Sequence, residues 1–302
     1  MEGKKKRGFF VRLRQGPVFW LLPLALVLLL LFVYPTFQVI RYSFTDMSLL
    51  SEDYRYTFKS YYSVFRDKSF FNILKITFIF VFFSVAFQTL LGFFIALAVD
   101  RGEELRMRGT VVVRVATLLS WCIPGVIIGV IWKILLNETD TGILTSILIR
   151  MGIGRVSFLT SAVSALICAI IANIWRGTAQ SMILSYSGLK TISKDILEAA
   201  SIDGANAWQK LKSIIIPSVA SVISINVVLN TIATFNTFDM VMSLTGGGPG
   251  EATEVLAMSA YNTIFKTYKL GKGSAYATIL LLINGVMAMV YFIYLKKRGE
   301  TE

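Results

Sequence analysis

The run Leu21–Tyr34, LLPLALVLLLLFVY, contains no charged side chain. With its neighbours, from about Pro17 to Ile40, it is long enough to cross a bilayer, whose hydrocarbon core takes about 20 mostly apolar residues as helix. A helix that is apolar on every side is stable only inside protein or lipid. Five further segments have the same character: Phe70 to Val99, Val111 to Leu136, Ser157 to Trp175, Pro217 to Leu244 and Ala275 to Leu295. In lipid every backbone N–H and C=O must be satisfied within the structure, so runs of this length are read as helices. The fold expected is all-α: a polytopic membrane bundle of six transmembrane helices. Composition agrees. Hydrophobic residues make up 55% of the chain and charged ones 16%, against about a quarter charged in soluble domains.

The first residues, MEGKKKRGFFVRLRQG, precede an apolar run and resemble a secretory signal. The apolar core is too long for one and no small-residue cleavage site follows, only YPTFQVIRYSF, so an uncleaved first span is expected. Lys and Arg set the orientation. Lys4, Lys5, Lys6, Arg7, Arg12 and Arg14 place the N-terminus in the cytoplasm. Arg101, Arg106, Arg108, Arg114, Arg176, Lys190, Lys194, Lys210, Lys212, Lys296, Lys297 and Arg298 then fall on the same side, and six spans return the C-terminus there. The chain divides into a basic cytoplasmic segment, 1–16, a transmembrane domain, 17–295, and a cytoplasmic tail, 296–302. The net charge of +12 flanks apolar runs rather than an amphipathic basic helix. It therefore reads as membrane topology, and no nucleic acid is expected as a partner. The lipid bilayer itself is one.

Histidine is absent, which removes His-based acid–base catalysis and His-ligated metals. Cys122 and Cys168 lie in apolar stretches without ligand spacing and read as small buried hydrophobes. No metal site and no catalytic residues are expected.

The longest cytoplasmic link contains ISKDILEAASIDGANAWQKLKSIIIP, Ile192 to Pro217. Ser193 is an N-cap candidate, and Asp195 sits in the first turn, where a carboxylate favours the positive helix end. Gly204, after Asp203, stops that helix. A second amphipathic stretch, Ala205 to Ile216, leads to Pro217. Two uses fit a helix, a glycine turn and a second helix at the membrane surface. One is a connector resting on lipid headgroups. The other is a docking element, with small Ala199, Ala200 and Ala205 permitting close approach.

The spacing Glu198-Ala199-Ala200, Gly204, Ile214, Ile216-Pro217 resembles the EAA signature of permease subunits in binding-protein-dependent ABC importers. EAASIDGA is similar to the form in the maltose-type, carbohydrate-uptake branch. LTGGGPGEATEVL, TFNTFDMVMSLTGGGP and YPTFQVIRYSF resemble other parts of that branch. Ser193 in place of proline and Ile216 in place of leucine are departures. The resemblance implies that 192–217 couples to a cytosolic ATPase. Glu198 would make a charged contact, Ala199 and Ala200 would pack on the ATPase, Gly204 would set the angle to the next helix, and Asp203, Ala205 and Pro217 complete the motif. It also implies a second, homologous permease subunit, an ABC ATPase dimer and an extracytoplasmic solute-binding protein, in a bacterial cytoplasmic membrane. ATP and Mg would sit on the partner ATPase. This chain has no G-x-x-x-x-G-K-[ST] and would bind no cofactor.

The predicted spans hold few charges. Lys75, Arg114, Lys133 and Asp239 fall near their ends, which argues for an uncharged solute. Polar uncharged side chains do occur. Asn226, Asn230, Thr234 and Thr237 share one face of the fifth span, with Phe235 and Phe238 beside them, Asn173 and Trp175 in the fourth and Asn284 in the sixth. They form either a solute path, with amides and hydroxyls for a sugar, or bonds between helices. An ion-coupled secondary carrier for a small polar solute is the alternative function. An intramembrane enzyme has no constellation in its favour.

Overall fold

The computed structural model describes residues 17–51 and 53–299. The predicted basic segment 1–16 and residues 300–302 of the predicted tail lie outside the described residues, and with them the six cations that set the first span's orientation.

The chain opens with α1 (Pro17–Leu28), a π-helical turn (Leu29–Val33) and α2 (Tyr34–Ser43). The most apolar stretch of the span Trp20–Ser43 contains no buried residue, and only Ser43 at its end is buried by the rest of the chain. Its flank of leucines is therefore solvated by lipid or a partner. A short α3 (Lys59–Phe65) leads to α4 (Lys68–Glu104), which begins where the Asp67 carboxylate accepts from the Ser69 amide at 3.1 Å. At 1.5 Å per residue α4 is roughly 55 Å long, well beyond a hydrocarbon core of about 30 Å. Its charged last turn, with Asp100, Arg101, Glu103 and Glu104, therefore stands clear of the membrane.

The third predicted span is not one rod. It divides into α5 (Thr110–Cys122) and α6 (Gly125–Leu135), bent by 106°. The cause is Pro124, which has no N–H to donate and pushes Ile123 into extended geometry (ψ 128°). A helix α7 (Ile143–Arg150) follows. The fourth span is longer than the apolar run that predicted it: α8 covers Ala162–Leu189 and carries Arg176 at its midpoint, not in a cytoplasmic link.

The coupling segment begins with α9 (Lys194–Ile202). Then α10 (Ala207–Lys210), a π turn (Leu211–Ile215) and α11 (Ile216–Phe235) run on as one apolar rod, Ala207–Phe235. Pro217 lies inside that rod, in the first turn of α11, rather than starting a new helix. The fifth span ends at Phe235. Asn236 caps it, and α12 (Asp239–Leu244) is a separate short helix, so the predicted span to Leu244 is also broken. Helix α13 (Leu256–Phe265) and the last helix α14 (Leu270–Gly299) complete the chain. Among the described residues five helices are apolar and long enough to cross a membrane, and the bent α5–α6 pair makes a sixth crossing if counted as one.

The core lies where α4, α8 and α11 meet. Phe80 and Phe235 are almost fully buried there, and Ile128 of α6, Met240 and Leu244 of α12 and Leu256 of α13 join the same cluster. α4 and α8 pack closely because their contact uses small residues: a Cβ on Gly177 would come within 2.3 Å of the Gln88 side chain. The two half-helices left by the breaks, α6 and α12, pack on one another.

Candidate functional site

Two features stand apart from ordinary packing. The first is the segment around α9. Ser193 Oγ accepts from the Asp195 amide at 3.3 Å, forming the predicted N-cap. At the other end Gly204 adopts φ +81°, its N–H donating to Ser201 O at 3.2 Å and that of Ala205 to Ala200 O at 2.9 Å. These two bonds form a Schellman stop, which satisfies the last carbonyls of the helix. Asn206 and Gln209 then start α10 with a reciprocal capping box, bonds of 2.9 and 2.8 Å. The geometry is thus fixed at both ends by local hydrogen bonds. Yet α9 contains no buried residue. Ile202 is 86% exposed, Trp208 68%, and Glu198 is exposed with no ion pair or hydrogen bond among the described residues. Fully burying an Ile or Phe side chain is worth about 1.5–3 kcal/mol, so a rigid loop that leaves Ile202 and Trp208 uncovered has the form of a docking surface.

The second feature is a polar cavity of about 360 Å³ between α4, α5, α8, α11 and α12. Its wall includes Gln88, Trp121, Asn173, Arg176, Asn230 and Asp239. Gln88 Nε2 donates to Asn173 O at 2.8 Å, while Asn230 Nδ2 donates to Ser181 Oγ and Asn226 Oδ1, both at 2.8 Å. Those bonds fix the amides but leave Gln88 Oε1 and Asn173 Nδ2 buried with no hydrogen-bond partner among the described residues. Arg176 and Asp239 form an ion pair at 3.5 Å, each side chain about a third exposed (31% and 32%). Gly125, first residue of α6, admits Asp239 closely, since a Cβ there would meet Asp239 Oδ2 at 2.0 Å. Donors, acceptors, two aromatic side chains (Trp121 and Phe238) and a self-neutralised charge pair suit a hydroxyl-rich solute. A larger groove of about 980 Å³, between α4 and α8, is almost wholly apolar and offers no comparable set.

Residues 88–298 match the family of binding-protein-dependent transport system inner membrane components. The chain belongs to this family.

The permease is 31% identical, over 91% of its length and 91% of the relative's, to the trehalose/maltose transport system permease protein MalF of Thermococcus litoralis. It is 27% identical, over 99% of each chain, to a probable starch degradation products transport system permease protein, AmyD, of Thermoanaerobacterium thermosulfurigenes. Its fold matches a subunit of a bacterial ABC transporter involved in the import of the acidic polysaccharide alginate, with TM-score 0.82 over 96% of this chain and 98% of that one, at 18% identity. The permease is thus a polytopic all-α membrane protein.

Of the predicted solute-path residues, the permease brings Asn173, Asn230, Thr234, Thr237 and Phe238 to the cavity wall. Asn226 stands one layer behind, bonded to Asn230. Trp175, Phe235 and Asn284 do not line it. Phe235 instead packs edge-on against Phe78, ring centroids 5.5 Å apart, and faces another cavity. Thr237 and Phe238 reach the site from the break after α11, not from a continuous helical face. Gln88, Trp121, Arg176, Gln180, Asn236 and Asp239 were not anticipated. The sparing of the spans from charge does not hold here, because Arg176 and Asp239 meet at the cavity. Two charged residues within otherwise apolar stretches were the available signal.

Proposed function

We propose that this permease is a membrane subunit of an ATP-driven importer that passes a sugar or related polyhydroxylated solute through the cavity at Asn173, Asn230 and Asp239. An external solute-binding protein delivers the solute, and the drive comes from a separate ATPase docked on 192–217. The observation that carries this reading is the doubly capped α9, which presents Glu198, Ala199 and Ile202 exposed and Ala200 half-exposed, with no residue of the helix buried among the described residues. Gly204 and Asp203 fix its exit, and Ala205 and Pro217 join it to the rod α10–α11. Closure of an ATPase dimer on ATP and Mg would move α9 and, through it, a bistable helical bundle. The names of the MalF and AmyD relatives support a carbohydrate. The alginate importer, whose structure includes a periplasmic protein holding alginate pentasaccharide, supports the external partner. A second permease subunit completes the assembly, in the cytoplasmic membrane of a prokaryote. The permease itself would act without an ATPase site or a catalytic residue.

The charge pair gives one argument for the alternative, an ion-coupled carrier, since charges within membrane helices mark ion paths. The two separate in one experiment. The importer is purified through a tag on this chain, reconstituted, and offered labelled maltose and trehalose. The importer reading expects uptake only with ATP and the ATPase subunit present, lost on Glu198→Ala although the protein still inserts. Uptake by the chain alone, driven by an ion gradient, would establish the carrier instead.

A further inference from the structure

The end of the bundle that carries α9 holds a charge cluster that the solute path does not use. Partners from α5 and α8 converge on the Glu103 carboxylate of α4. Tyr186 of α8 donates its hydroxyl to Oε2 at 2.5 Å, Arg114 of α5 donates to Oε1 at 3.1 Å, and Lys190, just past α8, approaches Oε2 at 3.1 Å. Lys190 Nζ also binds Asp100 of α4 at 2.7 Å. The Arg114 guanidinium and the Lys190 ammonium both lie over the Tyr186 ring, 5.7 and 5.0 Å from its centroid. Two acids and two bases sum to zero, and the hydrogen bond to Asp100 holds the Lys190 ammonium well above its ordinary range.

The position of this cluster sets it apart from a surface ion pair. Only Thr191, Ile192 and Ser193 separate Lys190 from α9, and that link is tight: Thr191 N donates to Gly188 O and Ile192 N to Leu189 O, at 3.1 and 3.2 Å. Ile192 packs against the buried group of Phe93, Ala96, Met182, Leu189 and Val219, which joins α4, α8 and α11. A cleft of about 240 Å³ separates the cluster from Leu197 on α9. The root of α9 is therefore held on one side by apolar packing and on the other by Glu103, while α9 itself touches little.

We infer that Glu103, with Asp100, Arg114, Tyr186 and Lys190, is the joint that makes α4, α5 and α8 turn as one body when α9 is displaced. This rests on the coupling role of α9 proposed above. A chain of charge-assisted bonds spanning three helices resists their separation better than single surface pairs do. α8 and α4 carry Asn173, Arg176 and Gln88 to the cavity, so their joint motion would change access to it. These five are positioning residues and touch no solute.

The test uses the assembled importer and needs no identified solute. A reporter cysteine, Ala233→Cys in the cavity wall, is placed in a Cys122→Ser background, and its reaction with a membrane-impermeant thiol reagent is timed with and without ATP–vanadate. The unmodified joint should show a nucleotide-dependent change of about tenfold or more, as a switch between two populations requires. Glu103→Gln with Lys190→Met should reduce that change to under about twofold while vanadate-sensitive ATP hydrolysis continues, and Glu103→Asp alone should recover part of it. If the double variant does not assemble, Arg114→Gln is read in the same way. A variant complex that hydrolyses ATP and still switches fully overturns the joint. No nucleotide-dependent change with the unmodified joint overturns the coupling role of α9 itself.

Discussion

The Arg176 guanidinium stands 3.5 Å from the Asp239 carboxylate at the wall of the polar cavity, one at the midpoint of α8 and the other in the first turn of α12. The pair ties a full-length helix to a half-helix and leaves the cavity without net charge. Asp239→Asn breaks the tie and leaves the cavity with a free cation. Both side chains are about a third exposed, so solvent screens the loss to on the order of 1 kcal/mol, or roughly fivefold in uptake of a neutral sugar. An acidic competitor such as glucuronate should gain inhibitory strength in the same variant. Competition assays with maltose as the labelled probe check this, and an unchanged ratio of neutral to acidic inhibition would remove the pair from solute selection.

Gly125→Ala should act on the same pair without removing a charge. The added methyl has no room beside Asp239 Oδ2, so the carboxylate must move and its 3.5 Å contact with Arg176 is disturbed. Uptake should fall in the same direction as for Asp239→Asn. Gly125→Ala combined with Asp239→Asn should add little, since both act through one contact.

Gly204→Ala tests the angle at which α9 leaves the bundle. Nothing lies within 4 Å of a Cβ at this position, so the cost comes from φ +81° alone, roughly 1–2 kcal/mol for a left-handed L residue. The protein should insert and assemble near normal levels, while uptake falls because α9 exits differently. A fluorescence-detected assembly profile and an uptake assay on one preparation separate the two effects.

Acid should weaken the end of the bundle that carries Asp67. The Lys272 ammonium, 2.8 Å from Asp67 Oδ2, holds that carboxyl below its usual value of 3.8. A group whose folded-state pKa is depressed stabilises the fold above its unfolded pKa and loses that contribution as pH falls through the folded value. The contribution should be complete above about pH 4 and decline below it. Thermal unfolding of the purified protein across that range should flatten in Asp67→Asn relative to the parent.

Much of this molecule was legible from residues alone. Runs such as Leu21–Tyr34 have no stable place in water, and they located the spans. Ser193, Asp195 and Gly204 specify a cap, a first-turn acid and a stop by local chemistry, and α9 begins and ends where they put it. The breaks were less legible. Apolar residues continue across Ile123–Pro124 and across Asn236, so hydropathy counts one span where the backbone makes two pieces. The cavity depends on those breaks. Asp239 meets Arg176 only because α11 stops at Phe235 and α12 turns back toward α8. Composition carries no record of such a long-range meeting, and the one-face arithmetic that grouped Asn226 with Thr237 assumed a continuous rod, whereas α11 ends at Phe235, two residues before Thr237.

On the coupling proposed above, α9 is the contact through which an outside ATPase moves this bundle. The most direct measurement is photo-crosslinking in intact cells from a benzophenone side chain replacing Ile202, which is 86% exposed on α9, followed by mass spectrometry of the adduct. One dominant adduct is expected, with a nucleotide-binding ATPase subunit, weakened by Glu198→Arg. Adducts with lipid alone, or with no nucleotide-binding protein, would contradict it.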